Sequence, residues 1–200
     1  MFSLFYGFYK YLTKKDEYFV LILGLDNAGK TTYLEQAKIK YSQNLNKSNL
    51  HRVTTTVGMN IGSIIIGPSK LNFWDLGGQE ELQSLWDKYY SEAHAIIYVI
   101  DSSDTQRLTE SKNAFKKIIQ NHLINNLPIM ILLNKQDLKD CLSLIQIRNE
   151  FNSLTSNLLI NQHKFFSISA INGEGIKESI NWLMDQMIKN IDLKPPLNSQ

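Results

Sequence analysis

Short, uninterrupted apolar runs alternate with longer segments of helical periodicity along most of the chain. The first run, Tyr18 to Leu23, is apolar at every position, which is typical of a strand buried on both faces of a sheet. Similar runs lie at 95–100, 127–133 and 164–168, and helical patterns lie at about 30–40, 105–124, 143–155 and 175–190. This alternation predicts an α/β fold with a mostly parallel, doubly wound, six-stranded sheet flanked by helices.

A different pattern separates the first helical segment from the second buried run. Two strand-like runs, Met59–Ile66 and Lys70–Asp75, flank the turn residues Gly67 to Ser69 and predict a β-hairpin. The hairpin would add one antiparallel edge strand to the sheet. Residues 41–52 are polar and rich in asparagine, so they predict a loop.

Composition excludes several classes of protein. Two hundred residues suffice for one domain with a full core, and 43% hydrophobic content argues against global disorder. The net charge of +2 favours no nucleic-acid partner, since such proteins usually carry a basic stripe. The single cysteine, Cys141, fits a reducing compartment such as the cytosol. No run reaches the roughly 18 apolar residues that a membrane-spanning helix needs.

A glycine-rich segment joins the first strand to the first helix and matches the pattern G-x-x-x-x-G-K-[ST]. Its glycines allow backbone N–H groups to surround phosphates, Lys30 can reach the terminal phosphates, and the Thr31 hydroxyl can bind Mg²⁺. A chance glycine turn is the alternative, but the flanking strand and helix favour a nucleoside triphosphate site. The expected phosphate-binding residues are Gly24, Asp26, Asn27, Ala28, Gly29, Lys30, Thr31 and Thr32.

The base is indicated by two later segments. Asp137, in the sequence Asn-Lys-Gln-Asp that starts at Asn134, can accept hydrogen bonds from N1–H and the 2-amino group of guanine. Adenine lacks that amino group, so the carboxylate would be left unpaired. Asn134 would brace the loop and the Lys135 stem would lie against the base. Ser169-Ala170 predicts a tight turn that directs the Ala170 N–H at guanine O6. Taken alone, each segment could equally be a helix cap or an ordinary loop.

Three further features concern magnesium and hydrolysis. Asp75 is placed to hold the Mg²⁺ shell through water, and Gly78 allows a backbone N–H to approach the γ-phosphate. Gln79 can orient the attacking water and is the expected catalytic residue. A threonine within 54–56 can add a magnesium ligand, although three threonines are also simply good strand formers. No arginine is evident in the sequence as a catalytic group in cis, which predicts slow intrinsic hydrolysis.

Together these segments resemble the Arf family of small GTPases, and within it the ADP-ribosylation-factor-related protein branch. The resemblance rests on LGLDNAGKTT, TTTVGMN, WDLGGQE, NKQD and SA, which span almost the whole chain. It implies a P-loop small-GTPase fold with GTP, GDP and Mg²⁺ as ligands, and an interswitch hairpin between strands β2 and β3. It also implies that Thr56 is the switch threonine that contacts Mg²⁺ and nucleotide, and that Met59, Trp74 and Tyr89 form an effector patch.

The first fifteen residues predict an amphipathic helix ahead of a G domain over 16–192 and a frayed tail over 193–200. The helix can lie in a membrane surface or pack permanently on the domain. Phe2 stands where this family commonly has a myristoylated glycine, so attachment needs another contribution. The apolar face of the helix is formed by Phe2, Phe5, Tyr9 and Leu12.

The resemblance implies a GTP-hydrolysing molecular switch that recruits effectors to Golgi and trans-Golgi membranes in vesicle and protein traffic. A cytoplasmic monomer would then attach reversibly to the membrane. Its implied partners are an exchange factor, an activating protein that supplies an arginine, Golgi effectors and a membrane receptor. Two other classes stay open: a nucleotide kinase with the same phosphate loop, and a GTP-binding scaffold that does not hydrolyse.

Overall fold

The computed structural model describes residues 15–42, 56, 58–156, 158 and 162–197. Within these ranges, six strands form one sheet in the order β2-β3-β1-β4-β5-β6. The predicted amino-terminal helix lies outside the described residues except for Lys15, as does most of the polar loop. The strands are β1 (Asp16–Leu23), β2 (Met59–Ile66), β3 (Ser69–Leu76), β4 (Ala95–Asp101), β5 (Ile129–Asn134) and β6 (His163–Ser167).

Helices follow the strands in the predicted alternation. Two short 3₁₀ helices, Trp86–Tyr89 and His122–Ile124, lie in the connections. No helix in the described part of the chain has the length and hydropathy needed to cross a membrane. The α-helices are α1 (Lys30–Tyr41), α2 (Glu80–Gln83), α3 (Leu108–Ile119), α4 (Leu144–Thr155) and α5 (Ile176–Lys189).

Strand pairing confirms the predicted sheet. The β1–β3, β1–β4, β4–β5 and β5–β6 pairs are parallel. The β2–β3 pair is antiparallel, from Met59 opposite Leu76 to Ile66 opposite Ser69, and is the predicted hairpin. Parallel strands end at the same edge of a sheet, so the segments that follow them meet there.

The core lies on both faces of the sheet, as the continuous apolar runs predicted. Val20 and Ile22 of β1 pack into one buried cluster with α1 and α5 residues. Leu21 and Leu23 point the other way, into a second cluster with residues of α3 and α4. Each strand is therefore held from both sides, and its carboxyl end is a rigid support for the loop that follows.

One helical segment is shorter than its sequence pattern suggested. The predicted helix at 105–124 is α3 over Leu108–Ile119, followed by a separate 3₁₀ helix. The Asp104 carboxylate accepts the Arg107 N–H at 3.1 Å, which holds the preceding residues in a turn. The Asn121 side chain accepts the Leu123 N–H and starts the 3₁₀ helix.

The carboxy-terminal tail lies against the domain at Pro195 and Leu197, so the predicted fraying is wrong for these residues. His94 Nε2 lies 3.1 Å from the Pro195 carbonyl oxygen, and the Leu197 N–H donates to Glu17 O at 3.1 Å. His94 Nδ1 accepts the Phe19 N–H, so the neutral ring donates from Nε2. The physical reason is hydrogen bonding: the Leu197 N–H and the Glu17 carbonyl oxygen satisfy each other, and His94 satisfies the Pro195 carbonyl oxygen.

Candidate nucleotide-binding site

A cavity of about 460 Å³ opens at the carboxyl edge of the sheet. Gly24, Ala28 and Ser169 of the predicted set do not line it, and two apolar residues that were not predicted, Leu138 and Ile171, do. The predicted residues brought together around the cavity are Asp26, Asn27, Gly29, Lys30, Thr31, Thr32, Thr56, Gly78, Asn134, Lys135, Asp137 and Ala170.

The glycine-rich loop turns sharply between β1 and α1. Gly24 has φ +138°, and a Cβ there would lie 2.3 Å from the Val99 carbonyl oxygen. Gly29 has φ +94°, and a Cβ there would lie 2.1 Å from Asn134 Nδ2. Only glycine fits either position. The loop therefore packs closely against β4 and against Asn134. It also places the amino terminus of α1 at the cavity, where the helix favours the binding of anions.

Lys30 is buried, with 5% of its surface exposed. Its Nζ donates to the carbonyl oxygens of Gly24 at 3.0 Å and Leu25 at 2.7 Å. Burial lowers the pKa of Lys30 to about 8, against the opposing effect of Asp75 and Asp26. An anion beside the ammonium would reverse this shift, which is the electrostatic requirement of a phosphate site.

Three oxygen-bearing side chains meet on the other side of the loop. The Thr31 hydroxyl donates to Asp75 Oδ2 at 2.6 Å and lies 2.7 Å from the Thr56 hydroxyl, which is itself 3.2 Å from Asp75 Oδ2. The structure thus brings together the three predicted magnesium residues, which come from α1, β3 and the segment before β2.

The Asp75 carboxyl group shows that this cluster suits a cation. It is fully buried, and its Oδ1 has no hydrogen-bond partner among the described residues. Burial raises its pKa, against contacts with Thr31, Lys30, Thr56 and Asn60 that lower it. A divalent cation would offset the cost of burying this charge, and hydroxyl and carboxylate oxygens are the ligands Mg²⁺ prefers.

The glycine pair after β3 is wedged between two other segments. The Gly77 N–H donates to Gly58 O at 2.8 Å, and a Cβ on Gly77 would lie 3.2 Å from the Thr56 carbonyl oxygen. A Cβ on Gly78 would lie 2.3 Å from Leu25 C and 2.4 Å from the backbone nitrogen of Asp26. No side chain fits at Gly78, so its backbone lies directly against the phosphate loop, while the predicted contact of its N–H with the γ-phosphate stays a prediction.

Gln79, the predicted catalytic residue, follows directly. It is exposed, precedes α2 and does not line the cavity. Beside it, Gln83 Nε2 donates to Gly78 O at 3.2 Å, and Trp86 Nε1 donates to Gly77 O at 3.0 Å. The backbone of the glycine pair is thereby held, while the role of Gln79 stays a prediction.

Asn134 links the phosphate and base ends of the cavity. Its Nδ2 donates to Ala28 O at 2.8 Å, and its Oδ1 accepts the Ala170 N–H at 2.9 Å. The predicted bracing role is therefore visible. In the structure the Ala170 N–H donates to Asn134, and its predicted contact with guanine O6 stays a prediction. Ser169 lies behind the cavity wall and donates from its hydroxyl to Asp137 Oδ1 at 2.6 Å, which orients that carboxylate.

Lys135 adopts a left-handed conformation, with φ +66°. Its ammonium lies 2.5 Å from Asp101 Oδ2, at the end of β4. The ion pair holds the lysine stem along the cavity wall. Asp101 was missed in the sequence because nothing in its local pattern marks it, whereas Leu138 and Ile171 could have been found as apolar residues beside the two base-side motifs.

Arg107 was also missed. Its Nη1 donates to Asp26 Oδ1 at 2.8 Å and its Nη2 to Asp26 O at 3.3 Å. Its Nε donates to Asp104 Oδ2 at 2.7 Å. An arginine of this chain thus contacts the phosphate loop, although it is directed at Asp26. No sequence motif marks it, since 81 residues separate the two partners.

The predicted effector patch is partly assembled. The Trp74 and Tyr89 rings meet edge to face with centroids 5.3 Å apart. Met59 is 42% exposed and lies two residues from Ile61, the cross-strand partner of Trp74. The patch therefore draws on β2, β3 and the 3₁₀ helix Trp86–Tyr89, and Gly58 and Gly77 connect its β2 and β3 residues to the segments around the cavity.

Comparisons with known proteins agree with this geometry. The model of the ADP-ribosylation factor family matches residues 5–187. The chain is 49% identical over 196 residues to ADP-ribosylation factor-related protein 1 of Rattus norvegicus and of Homo sapiens, covering 98% of this chain and 97% of each relative. It is 40% identical over 198 residues to ADP-ribosylation factor-like protein 3 of Saccharomyces cerevisiae, covering 98% and 99%.

A solved structure gives the same result for the fold. The small GTPase Arl6 of Trypanosoma brucei, with the bound nucleotide analogue GppNp, matches with a TM-score of 0.75 and 26% identity, covering 86% of this chain and 98% of that chain. Sequence, fold and cavity therefore lead to one conclusion. The chain belongs to the ADP-ribosylation factor family, and it is a small GTPase that binds GTP, GDP and Mg²⁺ and hydrolyses GTP.

Proposed function

We propose that this GTPase is a molecular switch that recruits effectors to Golgi and trans-Golgi membranes in its GTP form. The observation that carries the switch is the contact chain between the cavity and the effector patch. Thr56 lies within hydrogen-bond distance of Thr31 and Asp75, and Gly58, two residues later, accepts the Gly77 N–H. Met59, the first residue of β2, belongs to the patch. The Golgi assignment follows the resemblance to the ADP-ribosylation-factor-related branch.

In the proposed mechanism, the residues of the loop from Gly24 to Thr32 hold the phosphates, and Lys30 supplies a positive charge to the terminal ones. Thr31 and Thr56 would hold Mg²⁺ through their hydroxyls and Asp75 through water. Mg²⁺ held by these residues would supply positive charge that offsets the negative charge of the phosphates. The Gly78 N–H donates to the γ-phosphate, and Gln79 orients the attacking water.

Guanine is selected at the other end of the cavity. Asp137, oriented by Ser169, accepts the hydrogen bonds of the base, while Asn134 ties Ala28 to Ala170. Lys135, held by Asp101, covers one face of the base. Adenine would leave the Asp137 carboxylate unpaired once the base covers it.

Loss of the γ-phosphate would remove the proposed contacts of Thr56 and Gly78 with the third phosphate. Thr56 and Gly78 flank the Gly58–Gly77 hydrogen bond, so their release frees the β2–β3 hairpin and the patch of Met59, Trp74 and Tyr89. In this way, hydrolysis of GTP would alter the surface that effectors bind.

Membrane attachment would come from the segment at 1–15, joined to the G domain at 16–192 and supported by a membrane receptor. An exchange factor would load GTP. An activating protein would supply an arginine, because Arg107, the arginine that contacts the phosphate loop, is bound to Asp26 and Asp104.

Imaging in cells tests this function. The full-length protein, a deletion of residues 1–14, and Thr31→Asn in both backgrounds are compared for overlap with Golgi markers. We expect only full-length protein with Thr31 to concentrate on the Golgi, because Thr31→Asn weakens the triphosphate and magnesium contacts. Equal Golgi fractions for full-length Thr31 and Thr31→Asn protein would contradict nucleotide control, and persistence of the deletion on the Golgi would place the anchor elsewhere.

A further inference from the structure

We propose that Arg107 is a positioning residue of the GTP site, which neutralises Asp26 and keeps its carboxylate turned away from the γ-phosphate. The inference rests on the proposed assignment of the cavity to the nucleotide. It adds a determinant of GTP retention that lies outside the nucleotide-binding motifs.

Asp26 presents an electrostatic problem. It lines the cavity as part of the phosphate loop, and its backbone nitrogen lies beside Gly78, the residue proposed to contact the γ-phosphate. A free carboxylate in this position repels a triphosphate more than a diphosphate, because the γ-phosphate adds negative charge next to it. The loop therefore needs a counter-charge that also fixes the direction of the side chain.

Arg107 meets both needs. Its planar guanidinium donates to the Asp26 carboxylate through Nη1 and to the Asp26 carbonyl oxygen through Nη2, so it holds the side chain and the backbone together. The third donor, Nε, is fixed by Asp104 in the same turn. A lysine cannot reproduce this fork, since an ammonium is a single point of charge.

The side chains of Arg107 and Asp26 are about one-third exposed, at 32% and 29%, and solvent screens their interaction. The expected effect of losing Arg107 is therefore moderate.

The test uses the full-length protein with Mg²⁺ and measures release of fluorescently labelled GDP and of a labelled non-hydrolysable GTP analogue. We expect Arg107→Ala to speed release of the GTP analogue about fivefold, the upper range for a solvent-accessible ion pair, and release of GDP by less than about twofold. Arg107→Lys should fall between wild type and Arg107→Ala. Arg148→Ala, which removes an exposed arginine from α4, is the control.

Asp26→Asn provides the second arm, because it removes the charge that Arg107 is proposed to neutralise. In the Asp26→Asn background, Arg107→Ala should change release of the GTP analogue by less than about twofold. High salt should shrink the difference between wild type and Arg107→Ala. Circular dichroism of every variant reports whether the fold is kept.

Two results would overturn the inference. Equal acceleration of GDP and GTP-analogue release that persists with Asp26→Asn would mean that Arg107 merely supports the turn before α3. Unchanged release with a slower single-turnover hydrolysis of GTP would mean that Arg107 acts directly on the phosphate. Failure of the wild-type protein to retain guanine nucleotides would instead refute the proposed site, and the two failures are therefore distinguishable.

Discussion

The two ends of the cavity are built differently. At the base end, side chains are held by hydrogen bonds between neutral or oriented groups: Asn134 is bonded to Ala28 and Ala170, and Ser169 is bonded to Asp137. At the phosphate end, by contrast, a buried ammonium and a buried carboxyl group have their pKa values shifted against their charged forms. The polar groups at the base end already have hydrogen-bond partners in the protein. The charged groups at the phosphate end, by contrast, would be stabilised by the charges of bound phosphate and Mg²⁺.

This difference assigns recognition of the base to one end of the cavity and the response to the nucleotide state to the other. A hydrogen-bonded base end reads guanine in the same way in both nucleotide states, because neither state alters the base. A phosphate end with unbalanced charge responds to each added phosphate or cation, and in the proposed function Thr56 and the glycine pair connect it to the effector patch. Specificity and regulation can then occupy one cavity without interfering.

We expect the largest effect from a substitution that disrupts only the base end of the cavity. Asp137→Asn should lower GTP affinity at least about a thousandfold and raise XTP affinity, because the amide donates where guanine also donates and xanthine accepts. Equilibrium binding of labelled GTP and XTP measures both changes. The conservative control is Gln136→Asn, in the same loop. Unchanged GTP affinity with no gain for XTP would remove the guanine assignment.

A smaller effect is expected from overfilling the phosphate end. Gly78→Ala places a methyl group 2.3 Å from Leu25 C, so the glycine pair must retreat from the loop. GTP affinity should fall about thirtyfold while GDP affinity changes less than about threefold, since only the triphosphate is proposed to reach Gly78. Gly67→Ala, in the hairpin turn where a Cβ meets nothing within 4 Å, controls for general glycine effects. Equal losses for both nucleotides would show that Gly78 does not sense the γ-phosphate.

Gln79, the predicted catalytic residue, gives the second test at the phosphate end. Gln79→Leu should slow hydrolysis stimulated by the activating protein at least about tenfold with little change in nucleotide affinity, because the side chain is exposed and lies outside the cavity lining. Single-turnover kinetics and nucleotide release on the same preparation separate the two quantities. Gln120→Leu, at the exposed carboxyl end of α3, is the matched comparison. Indistinguishable single-turnover rates for Gln79→Leu and wild type would refute the proposed role in orienting water.

The smallest expected effect is the uptake of a proton by Lys30 when phosphate binds, and the pH dependence of affinity that follows from it. Burial holds the pKa of Lys30 at about 8 in the described structure, and bound phosphate raises it. The protonated form binds better, so GDP affinity is fully present below pH 8 and falls severalfold as pH rises towards the higher pKa of the complex. Calorimetry in buffers of different ionisation enthalpy measures the proton taken up at pH 8.5. Lys30→Arg, which stays charged, should take up less; equal uptake would assign the proton to another group.

Most of the fold was predictable because its strands are buried on both faces. A run such as Ala95–Ile100 has no polar face, so it can only be a central strand, and the helices between such runs force parallel connections. The carboxy-terminal tail was not predictable, because its partners, His94 and Glu17, lie about a hundred residues or more away in sequence and carry no marker.

The site shows the same division between what the sequence predicts and what only the folded structure reveals. The sequence by itself determined the phosphate loop, the glycine pair and the Asn134 to Asp137 motif, because backbone conformation and hydrogen-bond geometry restrict which residue types can stand there. Only the tertiary structure decided that Ala170 donates to Asn134, that Asp101 holds Lys135, and that Arg107 reaches Asp26. These contacts join residues far apart in the chain, and long side chains such as arginine and lysine can reach several partners; packing of the helices onto the sheet selects one.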